Sequence, residues 1–273
     1  EAGELRWVSS LAKAYLGLFS DTLSDQPPIE RIIDWVGPDI AKSAVVGFEA
    51  VLSRPEIPTA LQVSQSYAEG KYWHFIHPIV AGLAEMAKRP QGLGGVDPDC
   101  IRVGWFGCMG ELLDQRSGVE WLGDTLRDWL ARDEVVLERS LREWFEPHLE
   151  ANKEHISGLY SLVRDNVYEH LAWKLAAEWI PRFPNLTSPN ISELVHALVH
   201  CPVHDRADAW NCLRCIVLDR LTRVSLTGGD DNIWAAVIFL VTFDEAVEHL
   251  SSDYGKYAPS SDMIGQGNKA APC

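Results

Sequence analysis

The sequence predicts an all-α protein, built as an α-solenoid-like array of stacked antiparallel helix pairs. Three observations point there. Capped starts recur: Ser117 with Glu120, Asn190 with Glu193 and Thr242 with Glu245 each set a short side-chain oxygen three residues before an acid. At that spacing both groups can satisfy orphan N–H groups of a first helical turn. Apolar residues then follow at three- and four-residue intervals, the mark of a helix with one buried stripe. No comparable run of alternating apolar and polar residues announces a strand.

In chain order, residues 2–20 read as one helix, with Leu5, Val8, Ala12, Tyr15 and Phe19 at helical spacing. Pro27–Pro28 break the chain before a short helix from Ile29 to Trp35, and Gly37–Pro38 open another that carries Ile40, Ala44, Val45, Phe48 and Leu52. Pro55 and Pro58 punctuate again, followed by helices near 59–69 and 78–88. The glycine-rich link 91–95 is the best candidate boundary, because its residues have little to hold them in one conformation.

Asp97 then caps a helix with Pro98 at its first position, which suits proline because no N–H is needed there. Gly104, Gly107 and Gly110 weaken that helix but would let a neighbour approach closely. The helix after Ser117 carries Val119, Leu122, Leu126, Trp129 and Leu130 on one face and Glu120, Asp124 and Asp128 on the other. Segment 133–149 repeats the plan with Leu137, Leu141, Trp144 and Phe145, and a longer helix is expected over 157–180. Pro181, Pro184 and Pro189 separate it from a helix at 190–200, and another spans 205–225. Two last helices, 232–240 and 243–252, precede a Gly-, Ser- and Pro-containing stretch. The domain expectation is therefore 1–90 and 91–252 as two sets of helical repeats, or one continuous array, with 253–273 as a flexible tail.

At 273 residues with 47% hydrophobic and 23% charged, the chain can bury a substantial core. Its eleven tryptophans are scattered from Trp7 to Trp234, which suits wedging between helices better than a stacking platform. A net charge of −15 argues against nucleic-acid binding, which needs a concentrated positive field. The longest apolar run, Ile233 to Val241, is nine residues and too short to span a membrane. Six unevenly spread cysteines are unlike a small disulfide scaffold and fit a reducing cytoplasm. Glu1 in place of methionine reads as an excised segment or processed product.

Residues 37–252 resemble, in texture, the helical-repeat (HEAT/armadillo-like) regions of large bacterial NACHT/STAND-type proteins. The stretches that carry the resemblance are Trp121-Leu122-Gly123-Asp124-Thr125-Leu126, Trp144-Phe145-Glu146-Pro147 and Asp208-Ala209-Trp210-Asn211-Cys212-Leu213-Arg214. It implies a sensor or scaffold role, in some cases in anti-phage defence, beside an attached nucleotidase module. No phosphate-cradling glycine loop ending in Lys-Ser or Lys-Thr occurs here, so nucleotidase activity is not carried over.

The sharpest chemical constellation is Cys201, His204, Cys212 and Cys215, two pairs at the two-residue gap used by zinc sites. Cys212 and Cys215 fall off the stripe of Trp210, Leu213, Val217, Leu221 and Val224. Burial between helices is the competing explanation and the preferred one, so no cofactor or metal is assigned. Glu193, His196 and His200 share a polar face, and a carboxylate-bridged metal bundle would need a second Glu-x-x-His copy that the sequence lacks. His74 and His77, beside Tyr72 and Trp73, can frame a ligand pocket or close a helix end. Asp124 with Asp128 lack the paired aspartates of metal-dependent prenyl enzymes. Gly228-Gly229-Asp230-Asp231 matches part of a cyclase signature only in letters, since that signature needs a strand hairpin and here the acids are expected to start a helix. No catalytic residue is assigned. The expected function is a non-catalytic, protein-binding scaffold or sensor segment of a larger cytoplasmic signalling protein. A helical enzyme with a pocket assembled from distant side chains and a zinc-stabilised interaction module are the alternatives.

Overall fold

A computed structural model describes residues 2–19, 26–112 and 117–223. Among them the chain forms twelve α-helices and no strand. They are α1 (Ala2–Tyr15), α2 (Pro28–Val36), α3 (Pro38–Val51), α4 (Ala60–Ala68), α5 (Ile76–Ala87), α6 (Pro98–Gly107), α7 (Trp121–Leu130), α8 (Glu134–Glu150), α9 (Leu159–Arg164), α10 (Glu169–Arg182), α11 (Ser188–Val199) and α12 (Arg206–Arg223). A short π-helical segment, Cys108–Leu112, continues α6. The helices expected at 232–240 and 243–252, the Thr242–Glu245 cap and the tail lie outside the described residues.

Local chemistry sets the boundaries, and several differ from the sequence expectation. Helix α1 stops at Tyr15 rather than near 20. Gly17 takes φ 70°, its N–H donates to Ala14 O (3.0 Å) and that of Leu18 reaches back to Lys13 O (2.9 Å). This left-handed closure satisfies the last carbonyls of the helix. Gly70 and Asn152 end α4 and α8 in the same way. Among the described residues the capping box is formed by Thr59 with Gln62, not by Ser117 with Glu120 or Asn190 with Glu193.

Ser117 and Glu120 instead close a turn ahead of α7. Ser117 Oγ accepts from Val119 N, and Glu120 from Gly118 N. Asn190 is not a cap but sits inside α11, donating to Lys153 O at 2.7 Å, while Glu193 pairs with Arg164. Asp97 caps α6 as expected, accepting from Asp99 N at 2.8 Å, and Asp133 caps α8.

The single helix expected over 157–180 is two. Asp165 accepts from Val167 N (3.0 Å) and from Arg127 (2.8 Å), and this local bond replaces a helical one between α9 and α10. Pro181 does not precede the break but lies in the last turn of α10, which ends one residue later at Arg182.

One apolar cluster runs from Leu11 to Val217. Its centre is α5, buried without interruption from Ile76 to Ala84 and packed against α1, α3, α6 and α7. A helix apolar all round must be covered all round. Close approach depends on two glycines. A Cβ on Gly82 would lie 2.5 Å from Phe48 O of α3, and one on Gly104 would lie 2.0 Å from Leu83 Cδ1 of α5. Helix α4 packs across the sequence onto α8, where Ser64 Oγ donates to Trp144 O at 2.9 Å.

Further along, α10, α11 and α12 pack on one another. An ion-pair ladder joins α8 to α10: Arg142 binds Glu138, Glu146 and Glu178, and Arg182 binds Glu146 and Glu178. Trp105, Trp144 and Trp179 are fully buried, as wedging tryptophans should be, whereas Trp7, Trp35 and Trp121 are exposed. No helix among the described residues is long and apolar enough to cross a membrane.

Candidate functional site

Arg6, Ser9, Ser10 and Lys13 follow one another at helical spacing i, i+3, i+4, i+7, so they share one face of α1. That face meets the start of α5, and together they line a cleft of about 380 Å³ with His74, Phe75 and Pro78. Ser9, buried, fixes the junction by donating from Oγ to His74 O at 3.1 Å. His77 lies behind it with Nδ1 3.3 Å from the same carbonyl. Burial, reinforced by the positive charges of Lys13 and His74, pushes His77 down to about 4. The ring is therefore neutral at pH 7 and packs as part of the core. Of the pair His74 and His77, His74 faces the cleft and His77 supports it.

The depressed His77 value has a measurable consequence. Its folded-state affinity for a proton lies below the ordinary 6.5, so the neutral form stabilises the fold. That contribution is complete above pH 6.5 and is lost as pH falls toward about 4, at about 1.4 kcal/mol per pH unit. His148 and His196 shift the same way, burial being the first cause in each, so they share the acid sensitivity. The expected result is that His77→Gln flattens the fall of unfolding free energy between pH 6.5 and 4.5 relative to the parent chain. Parallel curves in denaturant titrations would contradict it.

Two further cavities differ in character. One of about 530 Å³ is lined by Glu49, Arg54, Asp97 and Asp99 among others. Its charges are largely spoken for: Glu49 binds Arg89, Asp97 caps α6 and Asp99 binds Arg102. The other, about 400 Å³, brings Tyr67, Tyr72, Trp144, His148, Lys153 and His155 together. Tyr67 stands edge-on to Tyr72 (5.2 Å between centroids) and Trp144 (5.7 Å). Ser64 Oγ lies 3.5 Å from His148 Nδ1, a nucleophile–base spacing in outline. Ser64 is wholly buried and its hydroxyl is given to Trp144 O, so that pair serves packing.

The cysteine–histidine constellation is not assembled. Cys201 is buried, Cys212 half-buried, and His204 and Cys215 exposed. No group of three or more His, Cys, Asp or Glu side chains among the described residues converges in a way that could hold a metal ion. Burial holds the Cys201 thiol above its usual range. The polar face of α11 is used differently from a ligand set: Glu193 pairs with Arg164, and His196 stacks on His200 with ring centroids 4.1 Å apart. The acids opposite the α7 stripe are also engaged, since Arg127 binds Asp124 and Asp128 at 2.9 Å. The Arg6–Lys13–His74 cleft was only half visible in the sequence. The histidines stood out, but the α1 stripe reads as an ordinary polar face until α5 is placed against it.

Comparison with protein-family models, curated proteins and solved structures finds no match to this chain.

Proposed function

We propose that the chain is a non-catalytic protein-binding scaffold or sensor, an α-solenoid-like segment of a larger cytoplasmic signalling protein. The observation that carries this reading is the exposed aromatic pair Phe19 and Trp35, whose rings meet at 5.4 Å while 38% and 44% of each residue stays exposed. Leu18 beside them is 38% exposed, and Trp7, Ile40 and Val46 on α1 and α3 are more exposed still. Six of the thirteen large apolar side chains exposed among the described residues thus lie between positions 7 and 46. Tryptophan is among the residue types enriched as interface anchors. The succession α10–α11–α12 supports a repeat-like arrangement, and the texture resemblance to NACHT/STAND-associated helical repeats supports the signalling context.

The test is reconstitution. A partner captured from cell extract is purified, and its affinity is measured for the parent chain and for Trp35→Ala combined with Phe19→Ala. Binding should weaken by at least about tenfold, since an aromatic hot spot at the centre of an interface contributes about 2 kcal/mol or more. Val135→Ser, at an exposed apolar position on α8, should leave it unchanged. Equal affinity of the aromatic variant would overturn the reading. So would turnover of a small molecule abolished by substitutions around the Tyr72–His155 cavity, which would favour a helical enzyme.

A further inference from the structure

We propose that the cleft between α1 and the start of α5 binds a small organic phosphate. Most arginines of the middle helices are matched by acids: Arg102 with Asp99 and Glu143, Arg127 with three aspartates, Arg142 and Arg182 with glutamates, and Arg164 with Glu193. Arg6 and Lys13 have no such acid among the described residues, and no acid among them lines the cleft. Within a chain of net charge −15, this is a local concentration of positive charge. Lys13 lies in the last turn of α1, where a cation also meets the negative end of the helix, and Arg6 faces the cleft two turns earlier. An anion in the cleft would be drawn to both.

The donor set is phosphate-like. Arg6 offers a planar fork suited to two phosphate oxygens, Lys13 a point charge two turns further along, and Ser10 a hydroxyl between them. The cleft lies at the N-terminal end of α5, a helix of twelve residues whose dipole adds partial positive charge there. Its first N–H donates to Trp73 O and Pro78 has none, so the side chains supply the donors. Phe75 and Pro78 supply an apolar wall, so inorganic phosphate alone would leave part of the space unused. The volume, about 380 Å³, lies within the range of small-molecule sites. This inference does not depend on the protein-docking proposal, because binding is measured on the chain alone.

Calorimetric titration at pH 7.5 and low salt, with phenyl phosphate, inorganic phosphate and benzoate as probes, tests it. Phenyl phosphate should bind saturably at one site and more tightly than inorganic phosphate or benzoate. Lys13→Gln and Arg6→Gln should each weaken it by at least about tenfold, and the effect should shrink as salt rises. Lys71→Gln, which removes a cation paired with Glu69 elsewhere, should change nothing. Thermal melts of the variants confirm that folding is intact. Absence of saturable binding, affinity unchanged in the Arg6→Gln/Lys13→Gln double variant, or benzoate binding as tightly as phenyl phosphate would overturn the proposal.

Discussion

Trp144→Ala should lower the unfolding free energy by about 4 kcal/mol, within the range for large buried aromatics truncated to alanine. The side chain is 1% exposed. Its ring lies among Tyr67 of α4, Phe106 of α6 and His148 of α8, with centroids 5.7, 5.1 and 4.7 Å away. Its Nε1 donates to Ser157 O at 3.0 Å in the loop before α9. Truncation therefore leaves a cavity where three helices meet and removes the donor from a carbonyl. Trp144→Phe keeps most of the volume and loses the hydrogen bond, so its cost should be a fraction of that. Denaturant titrations should show midpoints ordered parent, Phe, Ala with similar slopes. A loss below about 1 kcal/mol for alanine would mean that the α4–α8 contact is not part of the stable core.

Gly82→Ala should be the second most damaging change, at about 2–3 kcal/mol, although it adds a single methyl group. The added Cβ would lie 2.5 Å from Phe48 O and 2.9 Å from Phe48 C. Both are backbone atoms of α3, so no rotamer change can relieve the contact, and the two helices must part. By contrast, a methyl group on Gly104 meets Leu83 Cδ1 at 2.0 Å, the end of a flexible side chain. Gly104→Ala should therefore cost less than Gly82→Ala, although its nominal clash is closer. Equal or reversed losses in the same titrations would show that α3 and α5 have room to separate.

Periodicity is a local property, and it was legible. Leu122, Leu126 and Leu130, then Leu137, Leu141, Trp144 and Phe145, read as buried stripes from spacing alone, and all seven are buried in the structure. The Asp97–Pro98 start was equally plain, because both the cap and the proline act within one turn. Helix ends were less so. Asn190 has the chemistry of a cap, but Lys153 O, 37 residues away in sequence, takes its amide instead. Asp165 interrupts an apparently continuous stripe by binding Val167 N and Arg127 together.

Composition and apolar spacing by themselves determined that this is an acidic, helix-forming chain with enough apolar residues to cover a core. Only tertiary structure decided which polar residues serve it. Arg31, buried between α1 and the turn before α7, donates to Tyr15 O and Ser117 O at 2.9 and 2.7 Å, and no sequence pattern marks it. Arg6 and Lys13 look the same in the sequence as any exposed cations until His74 and the α5 terminus are brought to them. Helix formation depends on neighbours three and four residues away, which the sequence displays directly. A binding cleft depends on which helix faces meet, and that is set by the summed packing of the whole core.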